Sequence, residues 1–139
     1  MSFREKSAWV CFIGLLGVYG TYFVQNGFQL PDTATRAGLA YSQFWLMISL
    51  VVIMVAGHIV AAVLSPKDAE ADCDERDSQI IAKSGALGGN IAMAGALLAA
   101  ASAFKGATGF QVANWVLLAV FAGELVRYGM QIAKYRYWL

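Results

Sequence analysis

Ionisable side chains lie inside long apolar stretches of this chain, where their presence needs a physical reason. Glu124 and Arg127 are three residues apart in the last such stretch, and Gln131 continues the same helical face. His58 lies in an earlier stretch and is the only histidine, the residue type that changes charge nearest neutral pH. A carboxylate and an imidazole in such surroundings could transfer protons or bind a small ligand.

Lys83 and Asn90 place two further polar residues in the third apolar stretch. In the functional interpretation, these residues line a proton- or ligand-responsive cavity together with His58 and the Glu124–Arg127 pair. In the structural interpretation, Glu124 and Arg127 neutralise each other. Asn90 and His58 then form hydrogen bonds with donor groups that this pair leaves unused. Arg127 favours the charged form of Glu124, which argues against a proton-transporting role for that carboxylate.

A dense group of acidic residues separates the second and third apolar stretches. Residues 65–79 hold six of the nine acidic residues of the chain. Acids are favoured at a helix N-terminus by the macrodipole, and exposed charge also attracts a basic partner. The residues that we predict to bind such a partner are Asp72, Asp74, Glu75, Arg76 and Asp77. Their spacing lacks the pattern and the glycine of an EF-hand, so we expect no metal site.

The sequence contains no pattern typical of a catalytic site. It has one histidine and lacks the Gly-x-Ser-x-Gly, His-Glu-x-x-His and phosphate-binding glycine motifs. Gly85, Gly88 and Gly89 lie in an apolar stretch, where closely spaced glycines are typical of helix packing. We therefore expect a protein that is not an enzyme and that uses no cofactor.

The composition favours a membrane protein. The 139 residues suffice for one domain, and 14% of them are charged, against roughly 25% in soluble domains. The net charge of +1 argues against direct nucleic-acid binding, which needs a clustered basic face. Cys11 lies in an apolar stretch and Cys73 in the acidic segment, so we expect no disulfide.

Four apolar stretches are long enough to cross a lipid bilayer as helices, at about 7–25, 39–64, 80–104 and 112–134. They are too long and too continuous for the alternating strands of a membrane β-barrel. We therefore predict an all-α polytopic membrane protein in which residues 1–139 form a single four-helix transmembrane domain. Two antiparallel hairpins would be joined by the acidic loop 65–79.

Lysine and arginine residues predict the orientation in the membrane. With the N-terminus inside, seven of these residues lie on the cytoplasmic side and two, Arg36 and Lys105, lie outside. We therefore expect both termini and the acidic loop to be cytoplasmic, with the protein in the inner (plasma) membrane.

Small residues line the third stretch. At about 100° per residue, Ser84, Gly88 and Gly95 fall on one face, and Gly85 and Gly89 begin a second stripe beside it. Such faces let membrane helices approach closely, so we expect the third helix to be central and to touch two or more neighbours. The alternative is that a small face mediates homodimerisation.

The run 74–77 (Asp-Glu-Arg-Asp), followed by Ile80 and by 83–84 (Lys-Ser), resembles a family of small bacterial membrane proteins of unknown function. The basic-aromatic tail 134–137 is similar to that family too, and the resemblance covers roughly residues 72–139. It implies two helical hairpins with the acidic signature in the cytoplasmic connection. Some members look like neighbours of small helix-turn-helix regulators, which implies a transcription regulator as the partner by analogy.

Two functions are compatible with these features. The first, which we favour, is a non-enzymatic accessory or regulatory membrane protein whose acidic loop engages a cytoplasmic protein. The second is a small dimeric transporter, proton-coupled or for a small molecule, with Glu124 and His58 on the path. In size and helix count the chain resembles the small multidrug resistance proteins. Their essential glutamate lies in the first helix, however, and the first apolar stretch here contains none.

Overall fold

The computed structural model describes residues 3–26, 36–66 and 74–137, and every long element in these ranges is an α-helix. The four helices are α1 (Phe3–Asn26), α2 (Arg36–Val63), α3 (Glu75–Ser102) and α4 (Gly109–Tyr137). The predicted all-α, four-helix fold is confirmed. Each helix begins a few residues before its predicted apolar stretch, because the polar residues that precede the stretch are helical as well.

Each helix is long and apolar enough to cross a bilayer. The candidate spans are Phe3–Asn26, Ala40–Val63, Glu75–Lys105 and Gly109–Tyr137, with mean hydropathies of 1.6, 2.6, 1.5 and 1.5. The shortest has 24 residues and is therefore about 36 Å long, more than the roughly 30 Å of the hydrocarbon core. The fold is thus compatible with a multi-pass integral membrane protein.

The core lies where α1 meets both α2 and α4. Tyr19 of α1 stacks on Phe121 of α4 with their ring centroids 4.9 Å apart, an arrangement that adds to the free energy of burial. The other large side chains that form or border this core include Leu15, Val18, Tyr22, Leu46, Leu50, Met54, Leu117, Leu125 and Tyr128. Helix α1 is therefore the element on which α2 and α4 assemble.

Helix α3 packs along α4, with the contacts running in opposite directions on the two helices. Gly88 meets Gly123 so closely that a Cβ on Gly88 would lie 2.5 Å from the carbonyl oxygen of Gly123. Further along, a Cβ on Gly95 would lie 2.6 Å from the Cβ of Ala119. Small residues on both helices thus bring the two backbones together, as in many membrane helix pairs.

The expectation that the third helix is central is wrong. Among the described residues, α3 adds no side chain to the cluster around Tyr19, and its extensive helix packing is with α4. Small side chains permit close approach but bury little apolar area, whereas α1 and α4 carry the rings that fill the core. Gly85 and Gly89, which begin the second small stripe, have open space where a Cβ would lie.

A tight turn connects α3 to α4 at what we call the turn end of the molecule. The one-turn 3-10 helix Ala103–Lys105 is followed by Gly106 at φ 85°, a conformation that glycine adopts without steric cost. The Thr108 amide donates to the side-chain oxygen of Gln111 at 2.9 Å, and the Gln111 amide donates to the Thr108 hydroxyl at 3.3 Å. This reciprocal capping fixes the start of α4.

Two contacts tie the helices together at the opposite end, which we call the acidic end. Nε of Arg4 lies 2.8 Å from a carboxylate oxygen of Asp77 at the start of α3. Lys6 donates to the Ser65 hydroxyl and to the Leu64 carbonyl, where the helix dipole of α2 favours a cation. The start of α1 is thereby held to α3 and to the end of α2.

Replacing Gly88 with alanine should destabilise the α3–α4 contact, because the new methyl group would collide with the backbone of Gly123. Overpacking of this kind costs about 1–3 kcal/mol. The matched control is Gly89→Ala, whose methyl group enters open space. The free energy of unfolding, measured by sodium dodecyl sulfate titration in mixed micelles, should fall for the first variant and not for the second. Equal stabilities would contradict the glycine contact.

Candidate functional site

A polar cluster lies between α1, α2 and α4 in the half of the molecule nearer the acidic end. Its centre is the thiol of Cys11, a residue that is 4% exposed. Nε2 of His58 lies 3.7 Å from this sulfur and 2.9 Å from the hydroxyl oxygen of Ser7. Ser7 and Cys11 are four residues apart, so one face of α1 presents both to the imidazole.

The backbone of α2 fixes the tautomer of His58. Nδ1 of the ring lies 2.7 Å from the carbonyl oxygen of Met54, which can only accept, so Nδ1 carries the hydrogen. In the neutral ring Nε2 is then an acceptor, and the Ser7 hydroxyl and the Cys11 thiol donate to it. Both ring nitrogens therefore have partners on α1 or α2.

Helix α4 brings Tyr128 and a charged pair to the same cluster. Tyr128 lies beside the Cys11 thiol, and Arg127 and Glu124 are close enough to interact with it electrostatically. A guanidinium nitrogen of Arg127 lies 3.5 Å from each carboxylate oxygen of Glu124, and each side chain is 35% exposed. The guanidinium is also 5.3 Å from the centroid of the Tyr128 ring. The ion pair is thus loose and partly open to its surroundings.

The structure does not bring the five predicted polar residues of the spans into one cavity. The hydrogen bonds of His58 are with α1 and with its own helix, whereas Glu124 and Arg127 contact each other. Lys83 and Asn90 are exposed, on the side of α3 opposite to Gly88. Neither makes a hydrogen bond or ion pair with a described residue.

Ser84 lies in the interface between α3 and α4 and is fully buried. Its hydroxyl donates to the carbonyl oxygen of Ile81 and accepts a hydrogen bond from Nε2 of Gln131, each at 3.1 Å. Gln131, which the helical spacing places on the face of Glu124, therefore belongs to the α3–α4 contact.

Two of the residues predicted to bind a partner make structural contacts, and three, including Asp74, are exposed. Asp74 caps α3, with Oδ1 accepting from the Glu75 amide at 2.7 Å, and Asp77 is paired with Arg4. Asp74, Glu75 and Arg76 are exposed. The remaining predicted loop residue, Asp72, lies outside the described residues.

A second buried polar contact lies towards the turn end. The Tyr22 hydroxyl donates to Oδ1 of Asn114 at 2.7 Å, and Asn114 is fully buried. Nδ2 of Asn114 has no partner among the described residues. Sequence reasoning missed both residues and also Ser7, Cys11 and Tyr128. The one available signal was the four-residue spacing of Ser7 and Cys11 on a single helical face.

The part of the chain that the structure describes contains no group of three or more His, Cys, Asp or Glu residues able to hold a metal ion. Comparisons with protein-family models, curated proteins and solved structures found no match. The function must therefore be inferred from the residues themselves.

The geometry of the cluster is that of a hydrogen-bonded network between helices. The Ser7–His58 distance is also that of a hydroxyl nucleophile and its base. The imidazole, however, is fully occupied by Met54, Ser7 and Cys11. Such a network satisfies polar groups that would otherwise be costly in a membrane span.

In a Cys73→Ser background, Cys11 should react slowly with a maleimide, because its thiol is buried against His58 and Tyr128. His58→Ala should open the site and raise the labelling rate by about tenfold. The control is Ile59→Ala, which shortens the exposed neighbour of His58 on the same helix. If both variants label at the same rate as the parent, His58 does not cover the thiol.

Proposed function

We propose that this is a non-enzymatic membrane protein with an accessory or regulatory role, which binds a basic cytoplasmic protein through the acidic start of α3. The observation that carries the proposal is the exposure of Asp74 and Glu75 at the first turn of a helix that is peripheral in the fold. The bias of Lys and Arg towards this end supports a cytoplasmic location, in the inner membrane.

The contacts at the acidic end support α3 as the presenting helix. Asp77 and Arg4 hold the first turn of α3 in place, so the exposed carboxylate of Glu75 is carried on a fixed backbone. Fixed charges of one sign speed the encounter with a partner of opposite charge. A transcription regulator, which needs a basic face to bind DNA, is a partner of the right chemistry.

The outer face of α3 supports association within the membrane as well. Asn90 and Lys83 are exposed there, and neither makes a hydrogen bond or ion pair with a described residue. Asparagine side chains in membrane helices commonly hydrogen-bond across to a neighbouring helix. Homodimerisation through this face stays a prediction.

The alternative function is a small dimeric transporter that uses Glu124 and His58. The loose, partly exposed Glu124–Arg127 pair is the observation that favours it. Three features argue against transport. Arg127 lies next to Glu124, and the ring nitrogens of His58 are already occupied. Among the described residues, no hydrogen bond joins His58 to Glu124.

Glu75→Lys should lower the affinity for the partner by about tenfold, because it reverses an exposed charge without removing a structural contact. Asp74 and Asp77 are unsuitable positions, since one caps α3 and the other pairs with Arg4. The partner would be identified by photo-crosslinking from position 79 in native membranes, and its binding then measured at two salt concentrations.

The matched control for this experiment is Glu75→Asp, which changes the same side chain but keeps its negative charge. Support requires a basic partner whose crosslink weakens with salt and with Glu75→Lys but persists in the control. Equal crosslinking of both variants would refute docking on α3.

Glu124→Gln tests the transporter alternative in proteoliposomes that contain a pH-sensitive dye. Our proposal predicts the same proton flux for the variant, the wild type and empty vesicles, because Glu124 serves as the ion-pair partner of Arg127. A wild-type flux that the substitution abolishes would overturn the accessory role in favour of transport.

A further inference from the structure

A crevice of about 520 Å³ lies between α1 and α2 at the turn end, away from the acidic start of α3. This volume is in the range of small-ligand sites. The crevice reaches from Asn26 and Tyr41, near the helix ends, to Gly17 and Ile53. The nine steps along the chain from Gly17 to Asn26 correspond to about 13.5 Å along the helix axis. The crevice is therefore long enough to hold a head group and part of a chain.

The lining of the crevice changes from polar to apolar with depth. The deeper part is bordered by Val18, Leu46 and Ile53, which lie within the spanning stretches. None of the described residues that line the crevice is charged. The hydroxyl, amide and aromatic side chains nearer the helix ends include Thr21, Gln25, Tyr41 and Trp45.

Two polar side chains of the crevice have hydrogen-bonding capacity that no described residue uses. Ser49 and Gln25 line it, and neither side chain makes a hydrogen bond with a described residue. Ser49 lies within the spanning stretch of α2, where an unpaired hydroxyl costs free energy because lipid chains cannot bond to it. At the mouth, the rings of Tyr41 and Trp45 meet edge to face at 5.9 Å. The crevice thus combines polar groups that bond to no described residue, aromatic rings at its mouth and apolar side chains at its inner end.

We propose that this crevice binds a neutral amphiphile with a polyol head group, such as an alkyl glycoside or a monoacylglycerol. The head would lie at Gln25, Tyr41 and Trp45, with one of its hydroxyl groups reaching Ser49. The chain would run on towards Ile53. Hydroxyl groups both donate and accept, which matches an uncharged lining of hydroxyls and amides. A phosphate or ammonium head would find no opposite charge here and would lose its hydration without compensation.

The test uses the full chain in phosphatidylcholine nanodiscs with a decyl glucoside that carries a photoreactive diazirine in its chain. Mass spectrometry should locate saturable labelling in the peptides that cover residues 17–26 and 41–53. Unlabelled decyl glucoside should compete, and free glucose should not. A decyl phosphate probe with the same diazirine should label these peptides at least about tenfold less.

Two substitutions of Ser49 probe the site itself. Ser49→Leu fills the crevice and should abolish saturable labelling, while Ser49→Ala removes one hydroxyl and should weaken binding about two- to tenfold. The control is Gly20→Leu, which adds the same side chain to open space on α1 outside the crevice and should label as wild type.

Several outcomes would overturn the proposal. Labelling that is diffuse, or unchanged in both Ser49 variants, would show that the crevice holds no ligand. Equal labelling by the phosphate probe would show that the head group is not recognised. Competition by free glucose as strong as that by decyl glucoside would show that the chain is not bound. None of these results bears on partner binding at Glu75, which lies at the other end of the molecule.

Discussion

The direct approach of Gly88 to the backbone of Gly123 determines where α3 can lie. This glycine contact fills one side of α4, since any side chain at Gly88 or Gly123 would collide with the backbone of the other helix. Phe121 is two residues before Gly123 and therefore points about 160° away, towards Tyr19 of α1. One side of α4 thus carries the glycine contact and the other carries the aromatic core. Helix α3 is excluded from that core and exposes its own outer face.

Three hydrogen bonds between side chains, two of them buried and one partly buried, join the three helix pairs of this arrangement. Ser84 and Gln131 link α3 to α4, Tyr22 and Asn114 link α1 to α4, and Ser7 and His58 link α1 to α2. In membrane helices such bonds contribute on average about 0.6 kcal/mol each, which is modest. Their importance lies in register, because a shift of one residue along either helix would leave two polar groups unpaired in the span.

The sequence predicts the distribution of polarity along the helix axes much better than the packing around them. Hydropathy gave the four helices, and angular spacing placed Ser84, Gly88 and Gly95 on one face, which packs on α4. Neither hydropathy nor angular spacing could reveal which helix this small face would contact, since small residues fit any closely approaching helix. His58 and Glu124 both lie inside spans, yet His58 bonds to α1 and Glu124 pairs with Arg127 of its own helix. The orientation of each helix, which decides such pairings, depends on side chains far apart in sequence.

The crevice and the acidic start of α3 lie at opposite ends, but one short route of contacts connects them. Tyr22 borders the crevice and bonds to Asn114 of α4, and α4 holds α3 through the glycine contact. A ligand that strengthens the Tyr22–Asn114 bond would stabilise α4 in its present position and, with it, the first turn of α3. If a partner binds there as we propose, linkage requires it to raise the affinity for the ligand by the same factor. Helices α3 and α4 are each continuous across the span, so rigid-body movement of these helices alone could transmit the effect.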